Sequence, residues 1–461
     1  MHDFAAEQAG PGTSLVRESA HVSRLQQYGP YAIVLYLLAT TRWGSGLSLV
    51  GGPPYISDLV LILLLIDRAV AAAGHRSVST GVESWVGILA SALLAWSLIL
   101  LAFGSISQNA LRDAAPYLYA VTVFLVRPPS DSSDGRTSRV LMAVLIFHAA
   151  WVTVALLDPS LPNGTPVVST GIHLLSLRPD IDSLVCGLLA ALGLHRALAG
   201  RRPGYNLSLS VWGTVLVFAL YDRAGPLAFF VQIVVVVMLA PARKRLPGKY
   251  DRRIVVAILV MFLPIISVAA SQSRPVQRLL LTIPGNGIST APTEIQGATG
   301  TAHARLHAWS AVVGHVQRDP VRDIRGVGFG PDFLRDSGAE VLLLGTTPQE
   351  DVRSPHNYLL NTWARLGLLG LGLVLGLLLA GLRLSRLVAR HAPRIRDDDV
   401  LAMLLVASVP VIAVVGVVLE SPFGALPYFW AVGHLSSRAC QTGAVTPFGR
   451  GRDVSAVLSI E

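Results

Sequence analysis

The sequence contains few charged residues. Of its 461 residues, 14% are charged and 52% are hydrophobic. Apolar runs of about 17 to 25 residues recur along the chain, which is the length an α-helix needs to cross a bilayer. We therefore expect one polytopic bundle of membrane helices and not a soluble enzyme.

Cysteine is also scarce, and no cleavable signal is visible. The two cysteines are Cys186, in an apolar run, and Cys440, near the C-terminus. They are too few for a disulfide framework or a cysteine-based metal cluster. Residues 1–27 hold no apolar core followed by a small-residue cleavage site, so we expect the first span itself to direct membrane insertion.

The formal net charge is +9, which by itself could indicate a nucleic-acid partner. No nucleic-acid-binding motif accompanies the basic residues, which are spread between the apolar runs, so we expect no such partner. The positive-inside rule explains them better. With the N-terminus in the cytoplasm, most cations fall in cytoplasmic segments, and the short outer connections carry only Arg42, Arg112, Arg178 and Arg223.

Apolar runs bounded by proline, glycine and charge predict an all-α fold with about 12 spans in the cytoplasmic membrane. The spans are roughly 28–48, 54–73, 83–104, 111–126, 139–157, 181–199, 206–222, 224–242, 252–271, 357–382, 398–420 and 423–438. The expected organisation is a cytoplasmic tail (1–27), spans 1–9 (28–271), an extracytoplasmic loop (272–356), spans 10–12 (357–438) and a second cytoplasmic tail (439–461).

The segment 272–356 differs from the rest, because glycine, threonine, proline and aspartate replace leucine and valine. A connection of this length predicts a folded, functional cap. Residues 303–317 have a helical pattern, with Arg305, Trp309, Val312 and Val316 on one stripe. Pro320 should end this helix, and a tight backbone segment should follow at 326–330.

Arg223, Arg305 and His356 are the candidate reactive residues, since all three map to the outer face. Two guanidinium groups suit bidentate recognition of a phosphate or diphosphate, and an imidazole suits removal of a proton from a hydroxyl. Each also has a simpler explanation. Asp222 could pair with Arg223, Arg305 could extend its cation to the membrane interface, and Asn357 after His356 could serve only as a helix cap.

Two other chemistries receive weaker support from the sequence. Gly326, Gly328 and Gly330 have the spacing of a phosphate cradle, but no strand precedes them and no helix with Lys-Ser or Lys-Thr follows. His303, His307 and His315 lack a supporting carboxylate at the spacing of a zinc hydrolase, but His303 and His307 are four residues apart, which leaves a metal site open. Glu420 could orient an acceptor or pair with an arginine.

Five elements occur in a fixed order: Arg305-Leu-His-Ala-Trp309, Asp319-Pro320, Gly326-Val-Gly-Phe-Gly330, Pro355-His356-Asn357-Tyr358 and Gly367-Leu-Leu-Gly370. Together they resemble the signature of the O-antigen ligase and O-antigen polymerase superfamily of polytopic membrane glycosyltransferases. Arg223-Ala-Gly225 is similar to the Ser-Arg-Gly element of that family, with Asp222 at the usual serine position.

The resemblance implies a GT-C-like, metal-independent glycosyltransferase without a cofactor. Its donor would be a polyprenyl-diphosphate-linked glycan, and its acceptor a hydroxyl of a glycan, lipid or protein outside the membrane. Arg223 and Arg305 would hold the diphosphate, while His356 would deprotonate or orient the hydroxyl. The substrate-binding residues would be Asn357, Trp309, Gly326 and Gly328. The bilayer is the remaining partner, together with possible polysaccharide-assembly proteins.

Polymerase, ligase and protein O-oligosaccharyltransferase share these motifs, and the sequence leaves the choice among them open. A transporter or glycan exporter is the alternative from another class, because polytopic bundles with buried cations also move solutes. The pair of broken helices in matching halves that often indicates a transport site is not visible in the sequence. A non-catalytic scaffold is a third possibility.

Overall fold

The computed structural model describes residues 24–41, 55–73, 82–126, 134–167, 173–220, 222, 224–239, 293–344 and 352–445. The α-helices are α1 (Arg24–Thr40), α2 (Ile56–Ala73), α3 (Ser84–Phe103), α4 (Gln108–Leu118), α5 (Thr122–Leu125), α6 (Asp134–Leu157), α7 (Ser160–Asn163), α8 (Pro179–Leu198), α9 (Pro203–Ala219), α10 (Ala224–Leu239), α11 (Thr293–Gln317), α12 (Pro320–Arg325), α13 (Phe333–Ser337), α14 (Ala339–Leu344), α15 (Tyr358–His391), α16 (Asp397–Val415) and α17 (Pro422–Gln441). The described residues form no strand; they contain an isolated β-bridge between Val167 and His173.

Five described helices are long and apolar enough to cross a membrane: α3, α6, α8, α15 and α16. The all-helical class is thus confirmed, and α1 and α10 are shorter apolar helices. A total of about 12 spans and the side on which the cap lies stay predictions. The predicted span 252–271 lies outside the described residues.

The helices differ in how they meet their surroundings. On α3, Trp85 and Phe103 are 61% and 88% exposed, as expected for apolar side chains that face lipid. By contrast, residues 181–195 of α8 and 422–439 of α17 are buried on every side. Helices that are apolar all round belong in the centre of a bundle, so α8 and α17 form its interior.

The fourth predicted span, 111–126, is not one continuous helix. The structure divides it into α4, a 3-10 turn at Tyr119–Val121 and the short helix α5. Pro116 lies inside α4 and has no N–H to donate, which weakens the helical ladder at this point. The prediction of a single apolar span is therefore wrong here, and α4 is a separate element that ends beside the cap.

Helix α15 is 34 residues long and is broken at Gly367, where φ is 69°. The break leaves helix carbonyls without intrahelical partners, and neighbouring segments supply donors. The N–H of Val327 donates to Ala364 O at 2.8 Å, and that of Gly328 donates to Arg365 O at 2.9 Å. Trp96 Nε1 donates to Leu366 O at 3.0 Å. The glycine segment of the cap is therefore built into the helix break.

Helices α11 to α14 lie in the segment that the sequence predicts as a partly helical cap. The predicted apolar stripe is confirmed, because Val312 and Val316 of α11 are fully buried. They pack with Phe333 of α13 and Leu343 of α14 in a small hydrophobic core of their own. Asp319 then caps α12 by accepting the N–H of Val321, which turns the chain toward the glycine segment.

Candidate active site

Helix α11 brings Arg305 and Trp309 to the segment that carries His356. Trp309 Nε1 donates to Pro355 O at 2.6 Å, one residue before His356. Arg305, one helical turn earlier, donates from Nη1 to Val415 O at 3.1 Å, at the end of α16. The structure therefore unites two of the three candidate reactive residues, Arg305 and His356, at one end of the bundle.

His356 has an unusual backbone conformation, with φ at 55°. Its N–H donates to Ser354 Oγ at 3.1 Å. The next residue, Asn357, is the N-cap of α15, and its Oδ1 accepts the N–H of Leu360 at 3.1 Å. His356 Nε2 is buried and has no hydrogen-bond partner among the described residues, so this nitrogen is available to a ligand.

The surroundings of His356 favour a neutral imidazole. Burial is the largest cause, and the Arg305 guanidinium adds to it; together they lower the pKa of His356 to about 4. Asp180 acts in the opposite direction, and Arg178 in the same direction as Arg305. At neutral pH the ring is therefore uncharged and can accept a proton.

Arg305 lies in a partly desolvated position between the cap and the bundle. Burial lowers the pKa of its guanidinium, while the carboxylates of Asp222 and Asp180 raise it. Its Nε is buried and unpaired within the described part of the chain. A cation that is short of hydrogen-bond acceptors in a poorly hydrated place favours an anionic ligand.

The third candidate, Arg223, lies outside the described residues. Its neighbour Asp222 is described: Oδ2 of Asp222 accepts the N–H of Gly225 at 2.6 Å and caps α10. Asp180, at the start of α8, pairs with Arg178 at 3.2 Å. These groups surround Arg305 and His356 with charge of both signs.

Glu420 ends a 3-10 turn, Val418–Glu420, that follows α16. Its carboxyl is buried, forms a hydrogen bond with Ser354 and lies near the charges of Arg365 and Arg178. Because Ser354 also accepts the N–H of His356, its hydroxyl links Glu420 to the segment that carries His356. This stretch, from Arg353 to Arg365, is called the histidine segment below.

Gly326 and Gly328 both lie at the break in α15, where they contact the carbonyl of Arg365. A Cβ on Gly326 would lie 2.1 Å from Arg365 O, and the N–H of Gly328 already donates to that same carbonyl. A Cβ on Gly328, by contrast, would meet nothing within 4 Å. The contribution of either glycine to substrate binding stays a prediction.

Sequence reasoning missed a buried charge cluster formed by Asp113, Arg353 and Arg365. Asp113 Oδ2 lies 3.0 Å from Arg353 Nη2 and 2.7 Å from Arg365 Nη1. The sequence did contain an indication of this cluster, because Asp113 and Arg365 are opposite charges inside two predicted spans. Charged residues in membrane spans are usually paired with one another. Their separation along the chain hides the pair from local pattern analysis.

The histidines that left a metal site open do not form one in the described residues. His303 and His307 are exposed, and His315 lies 3.4 Å from Arg322 Nη1. The described group with suitable spacing is Asp398, Asp399 and His434. It lies at the opposite end of α16, where Arg438 pairs with Asp399 at 3.2 Å and already neutralises that carboxylate.

Helices long and apolar enough to span a membrane, with a helical cap and an arginine and histidine site at one end of the bundle, are the features of a polytopic membrane protein. A comparison with protein families then gives a narrower result. The family model described as O-antigen ligase matches residues 208–375, and this match confirms the resemblance to the O-antigen ligase and polymerase family. No match is found among curated proteins.

Proposed function

We propose that this protein transfers a polyprenyl-diphosphate-linked glycan to a hydroxyl acceptor on the outer face of the cytoplasmic membrane. The observation that carries the proposal is the juxtaposition of a partly desolvated Arg305 with a neutral His356, each with a buried nitrogen unpaired among the described residues. The O-antigen ligase match, which includes both residues, supports the same reaction class.

Arg305 and Arg223 hold the donor diphosphate in this proposal. When the sugar leaves the diphosphate, negative charge builds on the leaving group, and fixed guanidinium donors in a poorly hydrated site stabilise it better than water does. The unpaired Nε of Arg305 supports this role, since a guanidinium can give parallel hydrogen bonds to two phosphate oxygens.

His356 accepts the proton of the acceptor hydroxyl. As the acceptor oxygen bonds to the anomeric carbon, the bond from that carbon to the phosphate oxygen breaks, and the hydroxyl proton moves to Nε2. The low pKa of the free imidazole ensures that it is unprotonated at neutral pH. Diphosphate beside Arg305 offsets the guanidinium charge and makes the protonated ring easier to form.

Asn357, Trp309, Gly326 and Gly328 complete the proposed binding site. Trp309 and Asn357 support the histidine segment through Pro355 and the start of α15, and the open space beside Gly328 leaves room for a sugar or phosphate. In this proposal the segment 272–356 is the extracytoplasmic catalytic loop, spans occupy 28–271 and 357–438, and the tails 1–27 and 439–461 are cytoplasmic.

Substitution of the two central residues tests the proposal. We expect Arg305→Ala and His356→Ala to insert normally but to lower transfer by about 100-fold or more, the usual cost of losing a group that stabilises developing charge. Transfer is measured in proteoliposomes with lipid-linked saccharide extracted from a strain that lacks this protein. The matched control is Arg322→Ala, which removes an exposed cap arginine that pairs with Asp319. Unchanged transfer in both variants would remove their proposed roles.

The length of the product distinguishes a polymerase from a ligase. A strain without a polymerase accumulates single lipid-linked repeat units, whereas a strain without a ligase accumulates finished lipid-linked polymer. Donor consumption also separates an enzyme from a carrier, because a carrier moves the donor without breaking its diphosphate bond.

A further inference from the structure

Asp113 of α4 attaches the histidine segment to the helix bundle. Its Oδ2 contacts Arg353 Nη2 at 3.0 Å and Arg365 Nη1 at 2.7 Å, and it accepts the N–H of Gly330 at 3.1 Å. These three partners come from the cap and the start of α15. Asp113 lies 240 residues earlier in the chain than Arg353, so a distant helix provides the shared acceptor.

The two arginines lie on either side of His356. Arg353 precedes it and Arg365 follows it, so one carboxylate holds both ends of the segment. The segment is also closed on itself, because Arg365 Nη2 donates to Arg353 O at 3.4 Å. Arg353 Nη2 further donates to Gly330 O at 2.8 Å and connects this closed segment to the cap.

Tyr117 provides a second contact from the same face of α4. Residues four apart on a helix are neighbours, and Tyr117 lies one turn after Asp113. Its ring stacks on Tyr358 with centroids 5.9 Å apart, and its hydroxyl lies 3.3 Å from Thr362 Oγ1. A charged and an aromatic contact of α4 therefore converge on the start of α15.

The conformation of His356 needs such support. Its φ of 55° is in the left-handed region, which costs a residue with a side chain about 1 kcal/mol or more relative to right-handed backbone. A residue keeps this conformation when the surrounding contacts determine it. A looser segment would let the backbone relax and would move the imidazole.

We propose that Asp113 is a positioning residue for the transfer reaction and holds the histidine segment so that the imidazole meets the acceptor hydroxyl. This inference rests on the proposed function. Asp113 acts through Arg353 and Arg365 and does not touch substrate. Because Arg305 belongs to α11 and has no bond to Asp113, loss of the carboxylate changes kcat and leaves the KM for the donor nearly unchanged.

The test is Asp113→Asn, measured with the extracted lipid-linked saccharide in proteoliposomes and expressed per folded molecule. We expect kcat to fall about 10- to 100-fold, since a displacement of about 1 Å commonly costs on the order of 100-fold. The donor KM should stay within about twofold of the wild-type value. Amide hydrogen exchange should become faster in residues 353–358.

Asp397→Asn is the matched control. Asp397 is also a buried carboxylate shared by two arginines, with Arg196 Nε at 3.0 Å and Arg201 Nη1 at 3.1 Å. It lies at the other end of α16, a helix of 19 residues and hence about 28 Å long. Asp113→Asn leaves two buried arginines short of a partner, and Asp397→Asn leaves two partly exposed ones. Both variants should lose stability, but the control should keep its kcat per folded molecule and its exchange at 353–358.

A wild-type kcat in folded Asp113→Asn, or an equal loss of kcat in both variants, would overturn the positioning role. If Asp113→Asn does not fold, Arg353→Lys decides the question, because it keeps a cation near Asp113 but loses the guanidinium fork. We expect an intermediate kcat, and a wild-type value would overturn the inference. Wild-type protein that consumes no donor would instead refute the proposed function. The hydrogen-exchange measurement needs no turnover, so it still tests whether Asp113 holds the histidine segment.

Discussion

His356 and Arg305 influence each other through charge as well as position. The guanidinium is the second cause, after burial, of the lowered pKa of His356. In the proposed reaction the same imidazole accepts a proton, and the arginine disfavours the protonated ring until an anionic donor offsets its charge. The proposal therefore couples donor binding to proton acceptance at the residue scale.

This coupling predicts a pH effect. With a pKa of about 4, His356 in the free protein is neutral at pH 6 and becomes protonated only as the pH falls through about 4. Arg305→Gln removes a group that lowers this pKa, so the pKa should rise toward, without reaching, the usual value of 6.5, because burial remains. The measurement is the pH dependence of deuterium exchange at the C2 atom of the His356 ring, followed by mass spectrometry.

Arg322→Gln is the control for this measurement. Arg322 is one of the groups that lower the pKa of His315, after burial. The substitution should raise the pKa of His315 and leave that of His356 unchanged. An identical titration of His356 in wild type and Arg305→Gln would contradict the proposed coupling.

At the scale of elements, the break in α15 joins the cap to the bundle. A break in a membrane helix normally exposes carbonyls that need donors. Here Val327, Gly328 and Trp96 supply these donors, so the break is a joint between protein segments. The cap is thereby fixed close to His356, nine residues upstream of Arg365 and eleven upstream of Gly367.

Alanine substitutions at Gly326 and Gly328 should separate the free-energy cost of a steric clash from that of backbone strain. A Cβ at Gly326 would lie 2.1 Å from Arg365 O, so Gly326→Ala should cost at least about 3 kcal/mol of folding free energy and lower the yield of folded protein. Gly328 has a similar φ of 81° but open space around it, so Gly328→Ala should cost only about 1 kcal/mol.

Thermal unfolding in detergent, followed by size-exclusion chromatography, compares the two variants. Equal stability would contradict the packing of the joint. If Gly328 also contacts the donor as proposed, Gly328→Ala should raise the donor KM while the protein stays folded.

At the scale of the whole molecule, charge clusters built around a buried carboxylate lie at both ends of an apolar bundle. One contains Asp113 and its arginines, and the other contains Asp397 with Arg196 and Arg201. Lipid is as apolar as the side chains of the bundle, so apolar contact alone gives helices little reason to associate, and polar contacts between them contribute more of the specificity. The clusters therefore help to fix which helices are neighbours.

The predicted orientation can be measured with single cysteines. In a variant without Cys186 and Cys440, His307→Cys on α11 and Arg390→Cys in the last turn of α15 are exposed positions. We expect a membrane-impermeant maleimide to label position 307 in intact cells and position 390 only after permeabilisation. The reverse pattern would invert the orientation and would contradict a catalytic cap outside the cell.

The sequence alone determined the helical class, the long spans, the stripe of α11 and the order of the family motifs. These features depend on the length of apolar runs and on residue spacing, which are local properties. It also selected Arg305 and His356, because their residue types and motif context are local. It did not predict the division of the fourth span, where a proline and tertiary packing override an apolar pattern.

Only the tertiary structure decided which distant residues meet. The bonds of Asp113 to Arg353 and Arg365, the link from Glu420 to Ser354 and the lowered pKa of His356 all depend on burial and on neighbours far along the chain. Desolvation and charge pairing are set by distances in space, and a sequence gives those distances only after the helices have packed.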